Sequence, residues 1–213
     1  MLRTGLMPSL AELVDPATTA LLTMELQRGV TGDLAGMVAL AEEVKAAGVI
    51  DNVAALCRAA RRVGVPVVHN TAVYHPINDR IYKVNSRIQA VGARQGRRLL
   101  ALGAPGAEVM PELEPDERDI TIHRLHGMTP FTATSLDQIL RNMGITTIIG
   151  TGNSVNIGVV GMTISAVDLG YQVVVPRDAV AGVPQSYADA VIDNTIALLS
   201  TVTTTAEILA AWG

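Results

Sequence analysis

"ITTIIGTGNSVNIGVVGMTISAVDLGYQVVVP", residues 145–176, decides the fold. An apolar, β-rich run (145–151) passes through a short polar turn into an almost wholly apolar helical stretch (154–169), and a second β-rich run (171–180) follows. Strands apolar on both faces that alternate with helices belong to a parallel sheet covered on both sides. The turn itself, "GTGNSVNIG" (150–158), reads as strand, tight turn and helix start. Such a turn aims backbone N–H groups at whatever sits above the sheet. The side chains it offers are Asn153, Ser154, Asn156 and Ile157, and then the bare Gly158.

The same alternation runs outward through the chain. "TTALLTME" (18–25), "VPVVHNTA" (65–72) and "RDITIHR" (118–124) read as strands, and a short strand is expected near "TVTTT". Helices are expected over 34–63, broken near Gly48, over 134–144 and 186–200, and in the final "AEILAAW". The expectation is one α/β domain over residues 1–213, a Rossmann-like three-layer α-β-α sandwich around a central, mostly parallel sheet of about six strands. The least regular part, 73–117, holds Arg80, Lys83, Arg87, Arg94, Arg97 and Arg98. These read as a solvated helix face or as a cap that brings cations to an anionic substrate.

Composition narrows the class. The 213 residues are 49% hydrophobic but only 17% charged, enough for one sizeable core. Mean hydropathy is +0.34, which suggests a homo-oligomer, dimer or tetramer, with apolar surface buried between subunits. A net charge of −4 gives no electrostatic footprint for nucleic acid or an acidic membrane. No apolar run reaches a membrane span, and "MLRTGLMPSLAELVDP" has no sustained apolar region, so a cytoplasmic location is expected. The single cysteine, Cys57, sits at helical spacing with Val53, Leu56 and Ala60 and reads as a small buried hydrophobe.

In an open parallel sheet, ligands sit at the carboxyl ends of the strands. Glu25 and Gln27 stand there after the first strand, and His69, Asn70 and His75 after the second. His123, Arg124 and His126 follow the third, and Arg177 and Asp178 the fifth. Glu25 is the sharpest residue, because a carboxylate at the end of the apolar run "ALLTM" is partly desolvated and poised for proton transfer. His123 or Arg124 would anchor substrate, and a one-residue register decides which points inward. The histidines match no metal-ligand spacing, so no metal and no cofactor is expected. Ser154 lacks the second glycine of a serine-hydrolase elbow. The backbone N–H groups of 155–158 suit a developing oxyanion better.

These residues resemble the isochorismatase-like hydrolase family of cysteine amidohydrolases over roughly 18–182. "MELQ" is similar to the family's D-x-Q with Glu25 in place of Asp, and "GNSVNIG" fits its G-x-x-T-x-x-C turn with Gly158 at the cysteine. Phe131 and Thr134–Leu136 match its aromatic and T-x-L, and His123 falls near its lysine. The resemblance implies the fold and a cis peptide within the turn, while all three triad positions are changed. A covalent thiol mechanism is therefore excluded. Members that carry glycine at this position hydrolyse vinyl ethers without a covalent intermediate. The expectation is a non-covalent hydrolase of a small molecule, with Glu25 as general acid or base and His123 and Gly158 completing the catalytic set. Gln27, His69, Arg124, His126, Phe131, Asn153, Ser154, Asn156 and Ile157 would line the substrate site. The alternative is a catalytically inactive member that binds a small molecule or serves in an assembly. With aromatics at 3%, Met128, Phe131 and aliphatic side chains would build a pocket for a small, fairly apolar ligand.

Overall fold

A computed structural model describes residues 8–75, 77–78, 81–96, 98–125 and 128–213. Seven strands form one sheet: β1 (Thr19–Met24), β2 (Val67–Ala72), β3 (Ile120–Arg124), β4 (Thr147–Asn153), β5 (Gln172–Pro176), β6 (Val180–Ala181) and β7 (Thr201–Thr203). Their order is β3-β2-β1-β4-β5-β7, with the two-residue β6 paired to β4, and every pairing is parallel. The extra strand against the expected six is β6, which the sequence hides inside one run with β5.

Period-two alternation sends successive side chains to opposite faces. Leu21, Ile149 and Val174 pack beneath α1 (Leu10–Leu13), α2 (Val38–Ala46), α3 (Val49–Val63) and the last helix, Thr205–Trp212. Leu22, Met24, Ile148, Val173 and Val175 pack on the other face, against Leu136–Asn142, Val160–Asp168 and Gln185–Val191. Gly48 does break the second helical stretch: it takes φ +66, a conformation open to glycine, and separates α2 from α3. The ends of the chain meet where Trp212 Nε1 donates to the Val14 carbonyl (2.8 Å). Among the described residues no helix is long and apolar enough to cross a membrane.

Chain order reverses direction in the sheet between β1 and β4. That is the topological switch point, where crossovers leave to opposite faces and a crevice opens above the strand ends. Glu25 ends β1 there, and the turn after β4 begins there.

One buried polar network ties the far side of β2 to α3. His69 is 1% exposed. Its Nε2 lies 3.2 Å from Asp119 Oδ2, and its Nδ1 lies 2.9 Å from Thr23 Oγ1. A carboxylate only accepts, so Nε2 carries a proton and donates to it. Arg61 grips the same carboxylate with Nη2 (2.7 Å) and Nε (3.1 Å), and the Asp116 N–H donates to it (2.9 Å). Burial works to raise the Asp119 pKa, but the His69 and Arg61 bonds outweigh it and hold the carboxyl well below the ordinary range. Asp119→Asn should cost about 3 kcal/mol at neutral pH in urea unfolding, because it strands a buried cation. The lowered folded pKa makes this contribution complete above the unfolded value of ~3.9. The gap between wild type and variant should therefore narrow as pH falls below ~4; a gap independent of pH would mean the carboxylate charge is not what stabilises.

Candidate active site

Gly152 sets the approach of the two central strands. It pairs with Met24 across β1–β4, at φ +100, and a Cβ there would stand 2.3 Å from the Met24 carbonyl oxygen. Only glycine tolerates both conditions. Asn153 follows, fully buried, and its Nδ2 donates to the carbonyls of Met24 (3.3 Å) and Glu25 (3.2 Å). Glu25 itself has φ +52, uncommon for a residue with a side chain, and its N–H donates to the Asn70 carbonyl (2.9 Å). Held from β2 and from β4, the carboxylate stands over the crevice. A left-handed non-glycine residue fixed from both sides is the kind of outlier that marks functional positions.

The cation that meets it is Arg124. Along β3 burial alternates: Ile122 and Arg124 are buried, Thr121 and His123 are exposed. Arg124 Nη2 donates to Glu25 Oε1, with the arginine side chain 2% and the glutamate side chain 28% exposed. His123 faces the other way, its Nδ1 2.8 Å from Thr71 Oγ1. The register left open by the sequence is thus settled in favour of Arg124.

After Asn153 the peptide to Ser154 is cis, and the helix opens with a wide turn, Val155–Val159. The Ser154 carbonyl accepts from Ile157 (3.1 Å) and Val159 (3.1 Å), so two of the turn's amides are engaged, and the Ser154 hydroxyl donates to Asn156 Oδ1. Gly158 is buried, and a Cβ there would lie 3.0 Å from the Asn153 carbonyl oxygen and 3.1 Å from Met24 Cε. The methionine methyl therefore takes much of the room that the glycine opens.

Above these groups lies a cavity of about 770 Å³. Glu25, Arg124, Met128, Asn153, Ser154, Asn156, Ile157 and Gly158 are among the residues that line it. Other expected residues stand elsewhere for structural reasons. Gln27 is fully buried as a clamp, its amide Nε2 donating to the carbonyls of Ala72 (3.0 Å) and Ala107 (3.0 Å) while Oε1 accepts from the Ala72 N–H (2.7 Å). His69 is spent in the Asp119 network. Phe131 stacks on Tyr171 in the core, 5.8 Å between ring centres. Asp178 accepts from the N–H of Thr205 (2.8 Å) and so caps the last helix. His126, Arg80 and Arg97 lie outside the described residues. Lys83 reaches the cavity, whereas Arg87, Arg94 and Arg98 are exposed and do not line it. Cys57 is fully buried in α3, outside the cavity wall, and burial pushes its thiol up to about 12. Among the described residues no cluster of histidine, cysteine and carboxylates is arranged to hold a metal ion.

Sequence reasoning missed Tyr74, Tyr82 and the aliphatic wall formed by Val30, Val73 and Leu100. Nothing in an apolar run separates a residue facing a cavity from one facing the core. The two tyrosines carried the faint signal of rare aromatics in the irregular segment, and their rings meet edge to face at 5.1 Å.

Comparison with known proteins agrees with this architecture. The family model of the isochorismatase domain matches residues 19–207. Ureidoacrylate amidohydrolase RutB of Caulobacter segnis is 28% identical, over 94% of this chain and 88% of that protein. An isochorismatase family protein from Burkholderia thailandensis superposes with a TM-score of 0.75 at 28% identity, over 92% of this chain and 96% of that one. N-carbamoylsarcosine amidase from Thermoplasma acidophilum does so with a TM-score of 0.68 at 25% identity, over 88% and 96%.

The crowding at Gly158 is measurable. Gly158→Ala should cost about 1–2 kcal/mol by overpacking against Met24 and the Asn153 carbonyl. In a Met24→Ala background the same change should cost at least ~0.5 kcal/mol less in a double-mutant cycle. Equal costs in the two backgrounds would show that the methionine methyl does not fill this space.

Proposed function

The chain belongs to the isochorismatase-domain family, and on that footing we propose that it hydrolyses a small molecule without a cysteine nucleophile. The observation that carries this reading is the Glu25–Arg124 pair, set over the cavity at the sheet's switch point, beside a turn whose position 158 has no side chain. An ion pair presents Glu25 as a carboxylate, the form that takes a proton.

On this reading Glu25 removes a proton from water as the water oxygen bonds to the electrophilic carbon of the substrate. The bond to the leaving nitrogen or oxygen then breaks, and Glu25 returns the proton to that atom. Arg124 positions the carboxylate through charge-assisted hydrogen bonding. Ile157 and Val159 are engaged by the Ser154 carbonyl, so the Asn156 amide is the donor offered to a developing oxyanion. Substrate amides are the first class to try, since two relatives are named for amide hydrolysis; vinyl ethers, which need Glu25 in its acid form to protonate carbon before water adds and the alcohol leaves, are the second. No cofactor enters this scheme.

A second reading, a non-catalytic small-molecule-binding member, draws on Met24. Its methyl crowds the elbow that a nucleophile would need. The two readings part on turnover. Across a panel of amides and vinyl ethers, wild type should turn over at least one compound, and Glu25→Gln should lose ~10²–10⁴-fold in kcat while keeping affinity. Iodoacetamide should leave the rate unchanged, because the one thiol is buried outside the site. Rapid inactivation by iodoacetamide would overturn the thiol-free mechanism. Full activity in Glu25→Gln would remove Glu25 from it. Binding with no turnover in either form would establish the second reading.

A further inference from the structure

Basic charge is concentrated in one stretch of this chain. Residues 80–107 hold six lysines and arginines and no aspartate or glutamate. With the chain at −4 overall and this stretch at +6, the rest stands at −10. Within the stretch, the Arg87–Gly96 helix turns Ile88 and Gly92 to the cavity. Arg87, Val91 and Arg94, at helical spacing, form an exposed outer stripe, with exposed Arg98 just beyond the helix end. Arginines elsewhere, such as Arg28, Arg58 and Arg177, hold carboxylates of their own chain. Among the described residues Arg87, Arg94 and Arg98 hold none.

The opposite charge borders the same cavity. The helix α2 begins on its wall with Val38, Ala39 and Leu40. One turn further along, on the sides of Val38 and Ala39, stand Glu42 and Glu43. Neither glutamate has a hydrogen-bond or ion-pair partner among the described residues, and the two outnumber Lys45, the one cation of that helix.

Apolar side chains complete this face. Val38, Val84, Leu125 and Val183 line the cavity, yet they are 61%, 51%, 49% and 38% exposed, so they stand at its mouth. Apolar surface gathered at one rim marks a place where another surface docks.

A twofold pair needs a patch that complements itself. A patch of one sign repels its own copy, whereas a patch with a basic and an acidic rim attracts it, because rotation sets each basic rim against the other copy's acidic rim. A small anion would satisfy the arginines and leave the glutamates and the apolar mouth uncovered. A second copy of this chain answers all three.

We propose that two copies dock mouth to mouth as a twofold dimer, with Arg87 and Arg94 of each copy facing Glu42 and Glu43 of the other and the exposed valines of the mouths buried between them. Each copy then covers the other's cavity. The pairing does not depend on the hydrolase reading.

The test is sedimentation equilibrium of the full chain from about 0.02 to 1 M NaCl. Wild type should dimerise at micromolar concentration in low salt, with a dissociation constant that rises at least ~10-fold across the range as the exposed charges are screened. One variant, Arg87→Glu with Arg94→Glu, makes both rims acidic; the other, Glu42→Arg with Glu43→Arg, makes both basic. Each alone should dimerise at least ~30-fold more weakly than wild type. Their equimolar mixture should pair within ~3-fold of the wild-type affinity, because every opposed rim is again of opposite sign. Recovery in the mixture also shows that both variants are folded. Arg87→Gln with Arg94→Gln, which adds no repulsion, should weaken the dimer about fivefold and covers the case in which a reversal fails to fold. A wild-type monomer at ~100 μM in low salt would overturn the proposal, since a specific twofold interface should be occupied there. So would a dimer indifferent to the reversals and to the glutamines, which would lie on another face, or a mixture of folded variants that pairs no better than either alone.

Discussion

The close contact of β1 and β4 at Met24 and Gly152 governs the site. Because residue 152 has no Cβ, the two backbones approach until a side chain would stand 2.3 Å from a carbonyl oxygen. That register brings Asn153 beside the end of β1, where its amide can grip the carbonyls of both Met24 and Glu25. The grip from β4 and the Asn70 carbonyl from β2 together hold Glu25 in its left-handed conformation. Arg124 then reaches the carboxylate from β3. Four adjacent strands, β3-β2-β1-β4, thus contribute to one ion pair and the turn beside it.

The fold was legible because its signals are repeated. Runs such as "ALLTM" and "ITTIIG" are apolar on both faces, and a strand in that state has only one home, the inside of a covered parallel sheet. The strand ends followed from the same logic, and Glu25 and the 153–158 turn do lie beside the cavity there. The residues that went astray share a cause. Gln27, His69 and Asp178 are polar groups near strand ends whose hydrogen bonds are all internal, to Ala72 and Ala107, to Asp119 and Thr23, and to Thr205. A sequence shows that a polar residue is present but not whether the fold has already satisfied it. Asp119, the partner that claims His69, lies 50 residues away in the chain.

His123 and Arg124 show a second limit. Two neighbouring polar residues on a strand point to opposite faces, and a one-residue register decides which faces the cavity. The burial alternation of β3, with Ile122 and Arg124 inward, supplies the missing bit. Met24 shows a third. It lies in the apolar run that defines β1, and only three-dimensional packing reveals that its Cε crowds the space over Gly158.

A longer side chain at position 25 and an empty position at the turn form one consistent change. Compared with the aspartate and cysteine that the family resemblance suggests for positions 25 and 158, glutamate extends further from its strand and glycine leaves no side chain. On the hydrolase reading proposed above, a longer carboxylate would carry its proton-accepting oxygens away from the turn and toward the open cavity. A nucleophile fixed on the turn would then stand off the path of the proton, and misplacement by about 1 Å costs ~100-fold. Water suffers no such constraint, because it takes its position from the carboxylate rather than from the chain. On the same reading a side chain at 158 has no task, and the Met24 methyl packs close to that position.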